Sequence, residues 1–352
     1  MNKKIFISAV ATLTIGISVG LAQDIHFSQW YNAPLSLNPS LAGATKDIQV
    51  IANYRDQWQS VATPYKTFNF STDVRYVKKK WKKGFVGFGI NVFSDRAGDA
   101  QLGTTQGNFA VAYHVYTGAK STLGGGLQAG FCQKSINYSA LKWGNQYDAN
   151  ATATGGFNKD LPTGENLSNT KLSYPDFSGG VNWQYGVDQK TISSNDAVKA
   201  NVGVAMFHFG TPDQSFSKVK ADPLWMKTVA HIILEIGIKN TNVVLIPNII
   251  YSRQGPSQEP IPGLIAKYIL KENSKYTGNV KGAAVSAGIQ YRNQDAAIAV
   301  FMLEVSNYMM GVSYDINTSS LKDASKGKGG LEICLKYVSP SPFLYSNTKA
   351  RF

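Results

Sequence analysis

Apolar and polar residues alternate with period two along most of this chain. From Gly84 to Ser94, the residues Val86, Phe88, Ile90 and Val92 share one face, while Gly87, Gly89 and Asn91 share the other. That is the pattern of a strand with two different surroundings. Asn108 to Tyr116 repeats it, with Phe109, Val111, Tyr113 and Val115 opposite Asn108, Ala110, Ala112 and His114. The runs around Leu123–Phe131, Val285–Arg292 and Leu331–Tyr337 do the same. Further strands are predicted over 47–58, 64–77, 176–187, 199–209, 225–238, 243–253, 262–272, 295–304 and 306–316. The total is about 14 strands, an even number, each long enough to cross a hydrocarbon layer at a tilt. The fold class expected is all-β: a transmembrane antiparallel β-barrel, apolar outside and small or polar inside, with a non-strand N-terminal leader.

If both ends of the barrel segment lie in the periplasm, connections after odd-numbered strands face outward. The longest connection, Gln133 to Tyr174, and the next, 210–224, then fall outside. Gly118-Ala119-Lys120, Lys239 to Asn242 and the junction at Val305 become tight inner turns. The short Asn293-Gln294-Asp295 turn outside and the longer 188–199 connection inside are exceptions.

The front of the chain breaks the pattern. Lys3 and Lys4 precede an apolar stretch from Ile5 to Leu21, and Gly20-Leu21-Ala22 offers small residues for cleavage. This reads as a signal peptide for export through the Sec pathway, cleaved near Ala22. The domain division is therefore a signal at 1–22, a periplasmic or plug-like leader at 23–46, an outer-membrane barrel at 47–338 and a C-terminal tail at 339–352. In the leader, Pro34 and Pro39 preclude a regular central strand. Phe27, Trp30, Tyr31, Leu35, Leu37 and Leu41 are too apolar to stay solvated. They are expected to pack in the lumen, on the periplasmic rim or against another protein. Deletion of 24–43 is expected to leave a folded barrel that no longer displays its partner.

Charged residues make up 16% of the chain and aromatics 12%, which suits membrane strands better than a soluble domain with about a quarter charged. The net charge of +13 falls to about +11 once the signal lysines are gone. In an exported protein that charge points to acidic glycans, lipopolysaccharide or an acidic protein partner, and not to nucleic acid. Cys132 and Cys334 are expected to be buried, unpaired lumen thiols. His26, His114, His208 and His231 fall at no metal-ligand spacing, and no nucleophile elbow or phosphate loop occurs. The expectation is no enzyme, no metal and no cofactor.

Two further segments are candidate partner-binding sites beside the leader residues Phe27, Trp30, Tyr31, Leu35 and Leu37. Lys78-Lys79-Lys80-Trp81-Lys82-Lys83 is the densest charge run, predicted as a periplasmic turn that anchors Trp81 at the interface or meets an acidic partner. The long loop, with Asn145, Asp148 and Asn158, is rich in exposable hydrogen-bonding residues.

Phe27-Ser28-Gln29 with Tyr31, Pro34-Leu35-Ser36-Leu37-Asn38-Pro39 and Ala42-Gly43 resemble the N-terminal signature of the PorP/SprF family of Bacteroidetes outer-membrane proteins. Asn53-Tyr54-Arg55-Asp56-Gln57-Trp58, Tyr291-Arg292-Asn293-Gln294-Asp295-Ala296, Gly311-Val312-Ser313-Tyr314-Asp315-Ile316-Asn317 and Gly330-Leu331-Glu332-Ile333 extend the likeness along the mature chain. The tail from Ser339 to Phe352 departs from it. The resemblance implies an outer-membrane component of the type IX secretion system, linked in some members to gliding motility. It also implies a large secreted adhesin as partner at the cell surface, beside the secretion components and the membrane lipid. The competing expectation from the residues is a porin or small-substrate transporter, since about 14 strands can enclose a ligand-sized lumen.

Overall fold

The structure, a computed structural model, describes residues 24–45, 47–60, 63–77, 83–148, 156–164, 170–187, 195–216, 221–271, 282–320 and 322–339. The signal segment, residues 340–352 of the tail, and Lys78, Lys79, Lys80, Trp81 and Lys82 lie outside them.

Fourteen antiparallel strands close into one barrel. They are β1 (Ile48–Gln57), β2 (Tyr65–Tyr76), β3 (Gly84–Ala97), β4 (Leu102–Tyr116), β5 (Ser121–Ser135), β6 (Lys171–Val187) and β7 (Val198–Phe207). The rest are β8 (Lys227–Gly237), β9 (Val243–Gln254), β10 (Ser257–Lys271), β11 (Ala283–Arg292), β12 (Ala296–Val305), β13 (Tyr308–Asn317) and β14 (Lys328–Ser339). Each pairs with its neighbours in sequence, and β1 pairs with β14 from Ile48↔Ser339 to Gln57↔Gly330 to close the seam. The alternation therefore locates all of the barrel strands.

The long connection is shorter than the sequence pattern implies. β5 and β6 pair without interruption from Ser121↔Tyr185 to Ser135↔Lys171, so Gln133 and Lys171–Tyr174 are strand. Pro175 lies within the extended β6. Phe177, two residues on, accepts a bond from Phe209 on the β7 side, so the flank without an N–H at Pro175 faces the same way. β7 has already ended at Phe207 there, and the proline forfeits no ladder bond.

The barrel is inverted relative to a soluble core. Phe88, Ile90, Phe109, Leu127 and Ile289 are exposed on its outer face, while Asn53, Asn69, Asn91, His114 and Glu332 are buried inside. This is the distribution of a barrel whose outer solvent is hydrocarbon. Cys132 and Cys334 are both buried and free.

The leader fills the lumen. Asp24 meets His208 just after β7, Lys227 at the start of β8 and Gln254 at the end of β9. All three lie at the mouth formed by the loops after odd-numbered strands. Gly43 and Ala44 meet Asp73 and Arg75 near the end of β2, at the opposite rim. The leader thus traverses the barrel from one mouth to the other.

Candidate functional site

The site is the interface between the leader and the inner wall. Three short helical turns build the leader: Trp30–Asn32, Pro34–Leu37 and Pro39–Leu41. A proline opens the second and third turns, where its missing N–H is no loss. Asn38 caps the third, its Oδ1 accepting from Ser40 N at 2.9 Å and Ser40 Oγ at 2.7 Å. Its Nδ2 donates to Val181 O at 3.0 Å and Val204 O at 3.3 Å. One side chain thereby fixes the turn and ties it to β6 and β7.

The wall offers two different surfaces. On β3, β5 and β6 it is paved with glycine. A Cβ at Gly87 would lie 1.9 Å from Ala42 O, at Gly126 2.6 Å from Ser40 Cα, and at Gly180 2.2 Å from Asn38 Oδ1. Here the leader backbone rests directly on the strands. On β7, β8, β10 and β12 the wall carries an apolar patch: Phe207, Val229, Ile265, Ile298, Val300 and Met302 form one cluster with Trp30, Leu37 and Leu41. At this patch the strands are apolar on both faces, while His231 on β8 and Gln290 and Arg292 on β11 keep the rest of this wall polar.

A buried ionic clasp lies nearer the odd-loop mouth. Arg55 on β1 and Glu332 on β14 are paired across the closing seam, with Arg55 Nη1 3.2 Å from Glu332 Oε2 and Nη2 2.8 Å from Asp315 Oδ2. The leader enters between them. Ser28 N and Gln29 N donate to the Glu332 carboxylate at 2.7 and 3.0 Å, and Ser28 Oγ donates to Asp315 Oδ1 at 2.6 Å. Ser28 Oγ also accepts from Arg55 at 2.5 Å and Arg292 at 2.9 Å. Arg292 in turn holds Asp315, Asp295 and Glu259, each at 2.9 Å. Each buried charge has an opposite partner, the condition under which burial is tolerable.

At the mouth, His208 lies between Asp24 Oδ2 at 2.6 Å and Asp176 Oδ1 at 2.9 Å. Burial alone would lower its pKa, but the two carboxylates outweigh that and push it up to about 9. Burial would raise Asp24, but the charges of His208 and Lys227 hold its carboxyl well below the usual range. The imidazolium and the Asp24 carboxylate form a latch on the leader's first described residue.

Of the residues singled out from sequence, Phe27, Trp30, Leu35 and Leu37 are buried and Tyr31 is half-buried, all within the lumen. The lumen is one of the three settings expected for them, and there they pack against the barrel wall. The leader lies inside the barrel as a plug, with Asp24 at one mouth and Gly43 at the other. Lys83 is exposed at the β2–β3 turn. In the long loop, Asn158 Nδ2 donates to Asp148 Oδ2 at 3.3 Å and Asn145 Nδ2 to Thr163 O at 3.2 Å. Tyr147–Asp148 also pairs with Gly156–Phe157, so this loop carries structure of its own. Sequence reasoning missed Asp24, Arg55, His208, Arg292, Asp315 and Glu332 as a constellation. For Arg55, Arg292, Asp315 and Glu332 the signal was ionisable residues at inward positions of strands, whereas Asp24 and His208 lie outside the strands.

A closed barrel with an apolar outer face and a plugged lumen is a protein of the outer-membrane β-barrel class. More narrowly, the chain belongs to the PorP/SprF family: the model of the type IX secretion system membrane protein PorP/SprF matches residues 19–337. No curated protein matches the chain. Among solved structures it is similar to BamA from Haemophilus ducreyi lacking POTRA domains 1–3, at 10% identity over 83% of this chain and 70% of that one, TM-score 0.42. It is similar to the β domain of the Bordetella autotransporter BrkA, at 9% identity over 83% and 98%, TM-score 0.39. It also resembles the P. putida toluene transporter TodX, at 11% identity over 88% and 94%, TM-score 0.40.

Proposed function

We propose that this type IX secretion membrane protein is a non-enzymatic barrel in the outer membrane that supports export or surface attachment of a secreted, adhesin-like partner, in the service of gliding motility. It is exported through the Sec pathway with its signal removed near Ala22, and both ends of the barrel segment face the periplasm. The partner is held by the loops after odd-numbered strands, and the lumen is not its route. The observation that carries this reading is the leader, which runs from mouth to mouth and is clasped by buried charges on β1, β11, β13 and β14. A porin or transporter would need that path open.

The test is affinity purification of the tagged protein from outer membranes, with mass spectrometry of what accompanies it, beside conductance of the purified barrel in planar bilayers. Recovery of one large exported protein from a non-conducting barrel is the expected result. Robust single-channel conductance without a partner would overturn the reading in favour of the porin.

A further inference from the structure

We infer that the amino terminus of the mature chain opens at the odd-loop mouth, on the cell surface, so that its first residues belong to the face offered to the partner. This rests on the proposed orientation, with the even-strand turns in the periplasm. An N-terminal segment preceding a periplasmic strand would be expected on the periplasmic side. Here the leader has already crossed the lumen before β1 begins.

Two observations place it. The residues that hold Asp24 all border the odd-loop mouth: His208 follows β7, Lys227 opens β8 and Gln254 ends β9. The leader also emerges from the core at this end. Phe27 to Trp30 are buried, whereas the side chains of Asp24 and His26 are 25% and 28% exposed.

The position has a chemical consequence. Removal of the signal creates a new α-amino group one or two residues from Asp24, outside the permeability barrier. Amine-directed reagents and partner side chains would reach it without entering the periplasm.

The experiment places one short epitope tag per variant: directly after Gln23, in the β3–β4 loop at Asp99, or in the β8–β9 turn at Asn240. Antibody binding is compared in intact and permeabilised cells, with heat-modifiable mobility confirming each barrel. Tags at Gln23 and Asp99 should bind fully in intact cells with no gain on permeabilisation, and the tag at Asn240 should bind only after it. If Asp99 is accessible and Gln23 needs permeabilisation, the inference is overturned while the orientation stands. If Asn240 is the accessible site, the orientation itself fails, and the surface assignment with it. Should the tag after Gln23 prevent folding, Gln23→Cys labelled with a membrane-impermeant maleimide gives the same readout, because Cys132 and Cys334 are buried.

Discussion

Replacing Arg55 by Met removes the cation that joins the seam to the leader while keeping a long apolar side chain. Arg55 is 1% exposed and contacts Glu332, Asp315 and Ser28. Without it, Asp315 retains Arg292 and Ser28 Oγ, but Glu332 keeps only the two leader N–H donors. A buried carboxylate stripped of its cation costs about 3–5 kcal/mol. Urea unfolding in lipid vesicles, followed by tryptophan fluorescence, measures the loss. Adding Glu332→Gln removes the orphaned charge and should recover part of it, so the pair should show a coupling energy of about 1–3 kcal/mol. If Arg55→Met lies within about 0.5 kcal/mol of wild type, or if the two substitutions simply add, the clasp does not hold the seam and the argument fails.

Deleting residues 24–43 should abolish the heat-modifiable barrel, contrary to the expectation drawn from sequence. Trp30, Leu35, Leu37 and Leu41 together bury side chains worth about 6–12 kcal/mol, comparable with a typical total stability of about 5–15 kcal/mol. A compact, protease-resistant band from the deletion would show the plug to be dispensable. Gly87→Ala, whose new Cβ would strike Ala42 O, should lower stability by about 1–3 kcal/mol. Gly107→Ala, with nothing within 4 Å, should shift it by no more than about 1 kcal/mol, and equal unfolding midpoints for the two would remove the glycine floor from the account. The mouth latch should weaken with alkali. Because His208 is raised from 6.5 to about 9, its contribution is complete below pH 6.5 and disappears as pH rises through 9. The thermal midpoint of the wild type should therefore fall between about pH 7 and pH 10, and a His208→Gln variant that falls equally would assign the drop elsewhere.

The strands were legible because lipid and lumen impose opposite demands on successive side chains. Phe109 and Asn108 cannot exchange places, so their alternation survives in the sequence. The extra length of β5 and β6 was not legible, because Pro175 is tolerated only where β7 stops short of it, and the sequence does not reveal that. The leader's prolines and its apolar residues announced a packed, irregular segment, but not its course. Its path is written in the wall: Gly87, Gly126 and Gly180 where its backbone passes, and Ile298, Val300 and Met302 where its side chains lie. In sequence those residues read only as small or apolar strand positions. The clasp was hidden for a different reason. Ser28, Arg55, Asp315 and Glu332 are common residue types scattered over the chain, and only barrel closure brings them together.

That separation gives the clasp a second meaning. Ser28 and Glu332 stand 304 residues apart, so their contact forms only after the whole barrel segment has been delivered. Long-range contacts of this kind form late, because the intervening loop entropy must be overcome first. A chain cut short before β14 still has its plug and most of its strands, but it lacks the carboxylate that grips the leader and the strand that completes the wall. The leader thus meets its last acceptor only once β14 is in place, and closure of the seam reports that the chain has been delivered through that strand.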